Sequence, residues 1–186
     1  MNEVSLSHVA LLVPSVRKAA DYLKQFDFQI GKEEDWDGEG TREIYVEGKK
    51  SNSLLLMEPI KPGAYQRALE KRGPGLHHLA IDVLNIESFI DFIAGSGWLL
   101  HPMSLKTIKN VQTAYLARPG FPALIEVQEK KELNHTPPFI NEIELQFDPN
   151  LKRLLEVIGY SKIVKQTADE FSLKLENHKI LFKNLI

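Results

Sequence analysis

The chain has 186 residues, 43% of them hydrophobic, enough for a sizeable core as one domain or as two small units packed together. Its 23 basic and 25 acidic side chains leave a net charge of -2 without clusters of Lys and Arg, which excludes a field built to hold nucleic acid. With no cysteine, a disulfide framework, a thiolate metal site and a cysteine nucleophile are excluded, so any metal must sit on His, Asp, Glu or water.

Apolar runs such as Val9 to Val13 are too short to span a bilayer, and Met1-Asn2-Glu3 lacks the cationic start of a secretory signal. A soluble cytoplasmic protein with no membrane partner is expected. From the N-terminus, Ser5 to Val13 reads as a strand closed by Pro14. Ser15 then caps a helix whose apolar face is Val16, Ala19, Ala20, Leu23 and Phe26. Strands follow at Ile30 to Asp35, Arg42 to Glu47 and Ser53 to Met57, punctuated by Asp37-Gly38-Glu39-Gly40 and Gly48. This is a βαβββ order, and a linker from Pro59 carries a short helix over Tyr65 to Lys71.

The order then repeats. Leu76 to Val83 reads as a strand and Ile86 to Ala94 as a helix, with a turn at Gly95-Ser96-Gly97. Strands near Trp98 to Leu100, Thr113 to Ala117 and Ala123 to Gln128 complete the copy. After a charged and proline-rich stretch from Lys130 to Pro138, a third pattern alternates from Ile140 to Phe147 and turns helical over Leu151 to Ile158. It ends in strands at Ser161 to Lys165, Phe171 to Leu175 and Ile180 to Phe182, with Glu142 standing where the earlier copies carry His. A helix and hairpin added only for packing is the competing reading of this unit.

The duplication carries chemistry. His8-Val9-Ala10-Leu11-Leu12-Val13 and His78-Leu79-Ala80-Ile81-Asp82-Val83 open runs of the same design 70 residues apart, and so offer two imidazoles to a shared metal. Leu55 and Glu126 fall at equivalent places on the last strands of the two copies. A carboxylate between Ile125 and Val127 is costly to bury without a cation or donors, which favours a partner for Glu126. Alternation turns His77 away from His78 and leaves it a structural or supporting residue. His101, His135 and His178 have no partner at ligand spacing and are expected at the surface. Tyr45, Trp98 and Tyr115 lie on strands and either face a site on the sheet or pack in the core.

Ser7-His8-Val9-Ala10, the run from Gly73 to Val83 and Leu124-Ile125-Glu126-Val127 resemble the vicinal oxygen chelate superfamily. That group contains glyoxalase I, methylmalonyl-CoA epimerase, extradiol dioxygenases and bleomycin-resistance proteins, and the second run is most like the epimerases. The resemblance covers about residues 5 to 130. It implies an α+β fold in which paired βαβββ modules, 1–62 and 63–130, form a cupped mixed sheet, to which the residue pattern itself adds a shortened third βαβββ unit at 138–186. It also implies one divalent ion, Zn, Ni, Co, Mn or Fe, on His8, His78 and Glu126, with the fourth ligand place occupied by Leu55. Glu58 is a poor substitute, because three residues along a strand reverse the face.

By the same resemblance, Glu39 stands where the epimerases carry a catalytic glutamate; Glu43 is the weaker substitute, and Glu126 is a labile ligand able to move a proton. The implied activity is that of a metal-dependent isomerase or lyase that transfers a proton α to the carbonyl of a small-molecule substrate, such as a thioester. Two His and one carboxylate are also the ligand set of Fe(II) extradiol dioxygenases. A metal-free binding protein that sequesters a small molecule is the third reading. Strand edges left by the third unit suggest a homodimer.

Overall fold

The computed structural model describes residues 3–47, 52–134 and 136–186, so the turn expected at Gly48 and the surface position expected for His135 lie outside the described residues. The first module runs through β1 (Val4–Leu12), α1 (Val16–Leu23), β2 (Gln29–Ile30), β3 (Glu34–Trp36), β4 (Thr41–Glu47) and β5 (Ser53–Pro59). After α2 (Ala64–Arg72), the second contains β6 (Gly75–Val83), α3 (Ile86–Ile93), β7 (Leu99–Leu100), α4 (Ser104–Val111), β8 (Thr113–Ala117) and β9 (Leu124–Glu129). The remainder is β10 (Ile140–Leu145), α5 (Lys152–Val157), β11 (Val164–Gln166), β12 (Ser172–Leu175) and β13 (His178–Leu181).

The two modules form one open sheet in the order β2-β4-β5-β1-β6-β9-β8-β7, with β3 paired to β4. In each half the first and last strands are parallel, β1 with β5 and β6 with β9, and the halves meet where β1 and β6 pair antiparallel. The first strands therefore lie side by side at the centre and carry the two histidines there. Helix starts follow the capping residues: Ser15 Oγ accepts from the Lys18 amide at 3.5 Å and Asn85 Oδ1 from the Ser88 amide at 2.7 Å. Helix α1 buries Val16, Ala19, Ala20 and Leu23, while α3 buries Ile86, Phe89 and Ile93, against the sheet face opposite the cup.

The third unit has the expected βαβββ order of elements but different pairing. Its sheet runs β11-β10-β12-β13, so β13 forms an edge instead of lying beside β10. Glu142 consequently has no neighbour equivalent to the one Glu126 gives His78. This unit shares the main core on the helix-bearing face. Phe28 meets Phe139 at 5.1 Å, Phe121 meets Phe147 at 5.6 Å, and Trp98 Nε1–H donates to the Leu154 carbonyl at 2.9 Å. Trp98 is thus a core residue and does not line the cup. Helix α4 has no counterpart in the sequence reading: its Met103 N-cap contributes no side-chain hydrogen bond, and Leu105 and Val111 are exposed, so no buried stripe marks it.

Candidate metal centre

The cup face carries His8, Ala10 and Leu12 on β1 and His78, Ala80 and Asp82 on β6, as period-two alternation requires beyond the bulges. His8, His78 and Glu126 meet in its floor. His8 Nε2 lies 3.0 Å from His78 Nε2, which in turn lies 3.1 Å from Glu126 Oε2. One ligand atom from each of the three residues falls within 4.8 Å of the others. Adjacent ligands on an octahedral ion with bonds of about 2.1 Å are about 3.0 Å apart, so the two short separations fit a shared divalent cation. Three electron-pair donors aimed at one point in a buried floor also have little use for one another without a proton or a cation between them.

Burial shapes the protonation of the site. The His8 pKa falls to about 4, mainly through burial and then through the charge of Lys130, and His78 is driven well below its ordinary value by burial. Both rings are neutral at pH 7, the form a metal requires. Burial raises the Glu126 pKa, opposed by the Gln128 side chain, whose Nε2–H donates to Glu126 Oε1 at 2.9 Å. Gln128 was unremarked in the sequence, although two residues along a strand necessarily share a face. Tyr115, the cross-strand partner of Glu126, is a further cup residue, and Tyr45 stands edge-on to His8 with ring centroids 6.1 Å apart.

Leu55 does take the place equivalent to Glu126. It pairs with Ala10, two residues beyond His8, just as Glu126 pairs with Ala80, two residues beyond His78. It is 4% exposed in a small apolar cluster with Ala10, Leu12 and Met57, closed by Tyr65, Ala68 and Leu69 of α2. That corner is sealed with hydrocarbon. Glu58 points to the other face, as expected, and its Oε2 accepts from the Val16 amide at the start of α1 at 2.9 Å.

The orientation expected of His77 is wrong. Its Nδ1 lies 2.9 Å from His78 Nδ1, because a register shift opposite Ala10 and Leu11 makes His77 an extra residue on β6 and interrupts the alternation. Glu39 is exposed at the rim and its Oε2 accepts from the Tyr65 hydroxyl at 2.9 Å. Glu43 is 7% exposed, accepts from Thr41 Oγ1 at 2.9 Å, and has its pKa raised mainly by burial. His101 is half-buried, with Nδ1 accepting from the Met103 amide at 3.3 Å, and His178 packs at the surface against Phe26 and Phe28; neither approaches the triad.

No protein with a curated description matches the sequence. Among solved structures, a hypothetical protein from Bacillus halodurans C-125 is 26% identical, with a TM-score of 0.59 over 72% of this chain and 99% of that one. Methylmalonyl-CoA epimerase from Mycobacterium tuberculosis is 23% identical, with a TM-score of 0.51 over 67% of this chain and 86% of that one. A methylmalonyl-CoA epimerase in complex with methylmalonyl-CoA and ammonium is 18% identical, with a TM-score of 0.51 over 68% and 96% of the two chains. The family profile described as Glyoxalase/Bleomycin resistance protein/Dioxygenase superfamily matches residues 7–114, more than half of the chain. With paired βαβββ modules around a shared His–His–Glu floor, the chain belongs to this vicinal oxygen chelate superfamily.

Proposed function

We propose that the protein is a metal-dependent isomerase or lyase that moves a proton α to the carbonyl of a small-molecule substrate, with an acyl thioester as the first class to test. The observation that carries this reading is the position of carboxylates on both walls of the cup around the His8–His78–Glu126 floor. Glu39 just precedes β4 and Glu43 lies within it, and Glu126 comes from β9, with β5, β1 and β6 between them. A group on each wall suits removal of a proton from one face of the α-carbon and its return to the other.

His8, His78 and Glu126 are the residues that would hold the ion, which supplies a Lewis acid for polarising the carbonyl. Glu39 takes the α-proton, steadied by the Tyr65 hydroxyl, and Glu126, a labile ligand on the opposite wall, exchanges a proton at the other face. Glu43 keeps a raised pKa in its buried position and serves as a reserve proton acceptor behind Glu39. Tyr45, Tyr65 and Tyr115 supply hydroxyls to the pocket; the Tyr45 pKa is pushed up to about 12 by burial, so it donates and does not ionise. The epimerase neighbour bound to methylmalonyl-CoA makes an acyl-CoA a rational first probe.

The test is elemental analysis of the reconstituted protein, followed by exchange of the α-hydrogen of acyl-CoA thioesters in D2O, read by mass spectrometry. Stoichiometric metal and exchange lost in Glu39→Gln or Glu126→Gln is the expected result. Metal uptake without exchange on thioesters or other carbonyl compounds would overturn the reaction, and no metal uptake would point to a sequestering protein. Because Leu55 leaves two histidines and one carboxylate, the iron-loaded protein with catechol and O2 is the second assay.

We also propose a homodimer. Leu99, Leu100, Met103, Leu105 and Val111 are exposed along the β7–α4 edge, where a second copy would cover them. Sedimentation should show a concentration-dependent dimer that Leu105→Glu with Val111→Glu converts to monomer; a wild-type monomer at all concentrations would sink the idea. Among the described residues no helix is long and apolar enough to cross a membrane.

A further inference from the structure

We propose that His77 is a positioning residue for the metal centre, holding His78 through its Nδ1 so that the Nε2 lone pair of His78 faces the cation. This rests on the metal-centre reading above and adds a role for a residue outside the ligand set. The two Nδ1 atoms are 2.9 Å apart, a hydrogen-bond distance, so one ring must donate to the other. When His78 binds through Nε2, its Nδ1 carries the proton, and His77 Nδ1 is the acceptor that keeps it there.

The backbone supports a built device. The β1–β6 pairing contains two register shifts: one makes Ser7 the extra residue on β1, the other makes His77 the extra residue on β6. Each bulged residue directly precedes a ligand histidine. A bulge removes one residue from the alternation, so two consecutive side chains leave on the same side of the strand. In the first half Ser7 Oγ lies 3.4 Å from His8 Nδ1, a longer counterpart of the His77–His78 contact. The pseudo-two-fold relation between the modules therefore includes the partner behind each ligand as well as the ligand.

His77 is itself held. Its ring lies 5.0 Å from that of Tyr65 on α2, tilted by 37°, and the Tyr65 hydroxyl donates to Glu39. A purely structural role would be served by any flat ring packed on Tyr65. The positioning role requires an acceptor at the Nδ1 position, and this separates the two.

The experiment compares wild type, His77→Phe and His77→Asn. Phenylalanine keeps the ring without the acceptor; the asparagine oxygen restores an acceptor near the place of Nδ1. Zn2+ affinity, measured by chelator competition, should fall about 10–100-fold in His77→Phe and return close to wild type in His77→Asn. In the Zn2+-loaded wild type, NMR should show a slowly exchanging His78 Nδ1–H, and the metal-free protein should show a scalar coupling between the two Nδ1 nuclei. Unchanged affinity in His77→Phe, or equal losses in both variants, would overturn the proposal while leaving the metal centre standing. A wild type that takes up no Zn2+ would overturn both. Should His77→Phe fail to fold, absence of the wild-type coupling and of the protected proton is sufficient to reject it.

Discussion

Leu55 sets the proposed centre apart from one with four protein ligands, and replacing it with Glu separates affinity from stability. A carboxylate placed among Ala10, Met57 and the α2 side chains lacks donors, so Leu55→Glu should cost the metal-free protein about 2–5 kcal/mol. The same carboxylate adds a ligand, so added Zn2+ should raise the melting temperature far more in the variant than in wild type; equal shifts would mean that Leu55 does not face the ion. The histidines give a pH prediction. His8 and His77 have pKa values lowered to about 4 from 6.5, so between these values the unfolded chain takes up protons that the folded one does not. Stability should therefore fall as pH drops from 6.5 towards 4 and level off below, by about 2 kcal/mol or more, with the raised carboxylates of Glu43 and Glu126 acting in the opposite sense near the lower end. Denaturant titrations across this range test the sign, and His77→Phe should flatten the profile. The meeting of His8, His78 and Glu126 was legible because each combines an unusual residue type with a repeated strand position. His77 was not, because a bulge is a backbone event and the alternation rule that misplaced its ring holds only where the ladder is unbroken.

At the scale of elements, the duplication extends to how the helices begin. The Val16 amide donates to Glu58 Oε2 at 2.9 Å, and the Ile86 amide donates to Glu129 Oε2 at 2.9 Å, three residues beyond Leu55 and Glu126 respectively. Each carboxylate satisfies a free N–H and lies at the positive end of a helix. Glu58→Ala and Glu129→Ala should each cost about 1 kcal/mol, and their effects should add, since they serve different helices in different modules. Urea titrations of both singles and the double check this; a strongly non-additive double would mean that the two helix starts are coupled through the sheet. Most strands and helices α1 and α3 were readable from period and punctuation, because their burial is one-sided. Helix α4, of the same length, was not, since only Ile108 of its apolar residues packs against the core. The third unit was legible in its order of elements but not in its pairing: alternation reports which face of a strand is buried and is silent about which neighbour it pairs with.

At the scale of the molecule, the third unit determines whether the site modules can stand without it. Phe28, Trp98 and Phe121 belong to the first 130 residues, yet they pack against Phe139, Leu154 and Phe147, and the Ile140 amide donates to Asn52 Oδ1 at 2.8 Å. Residues from Phe139 to Leu185 contribute to the same continuous core as β1, β6, α1 and α3. Removing 138–186 would therefore uncover large aromatic side chains on the back of the very strands that carry His8 and His78, at about 25 cal/mol for each Å2 of apolar surface exposed. A shared core of this kind unfolds as one unit. Calorimetry of the full chain should show a single transition, and a chain ending at Lys130 should melt at least 10 °C lower or aggregate. Two resolved transitions, with the higher one unchanged in the shortened chain, would show instead that the cup folds independently and that the third unit is only attached to it. In the coupled case, loosening of the third unit should also weaken Zn2+ binding in the cup, because β1 and β6 connect the His8–His78 floor on one face with that shared core on the other.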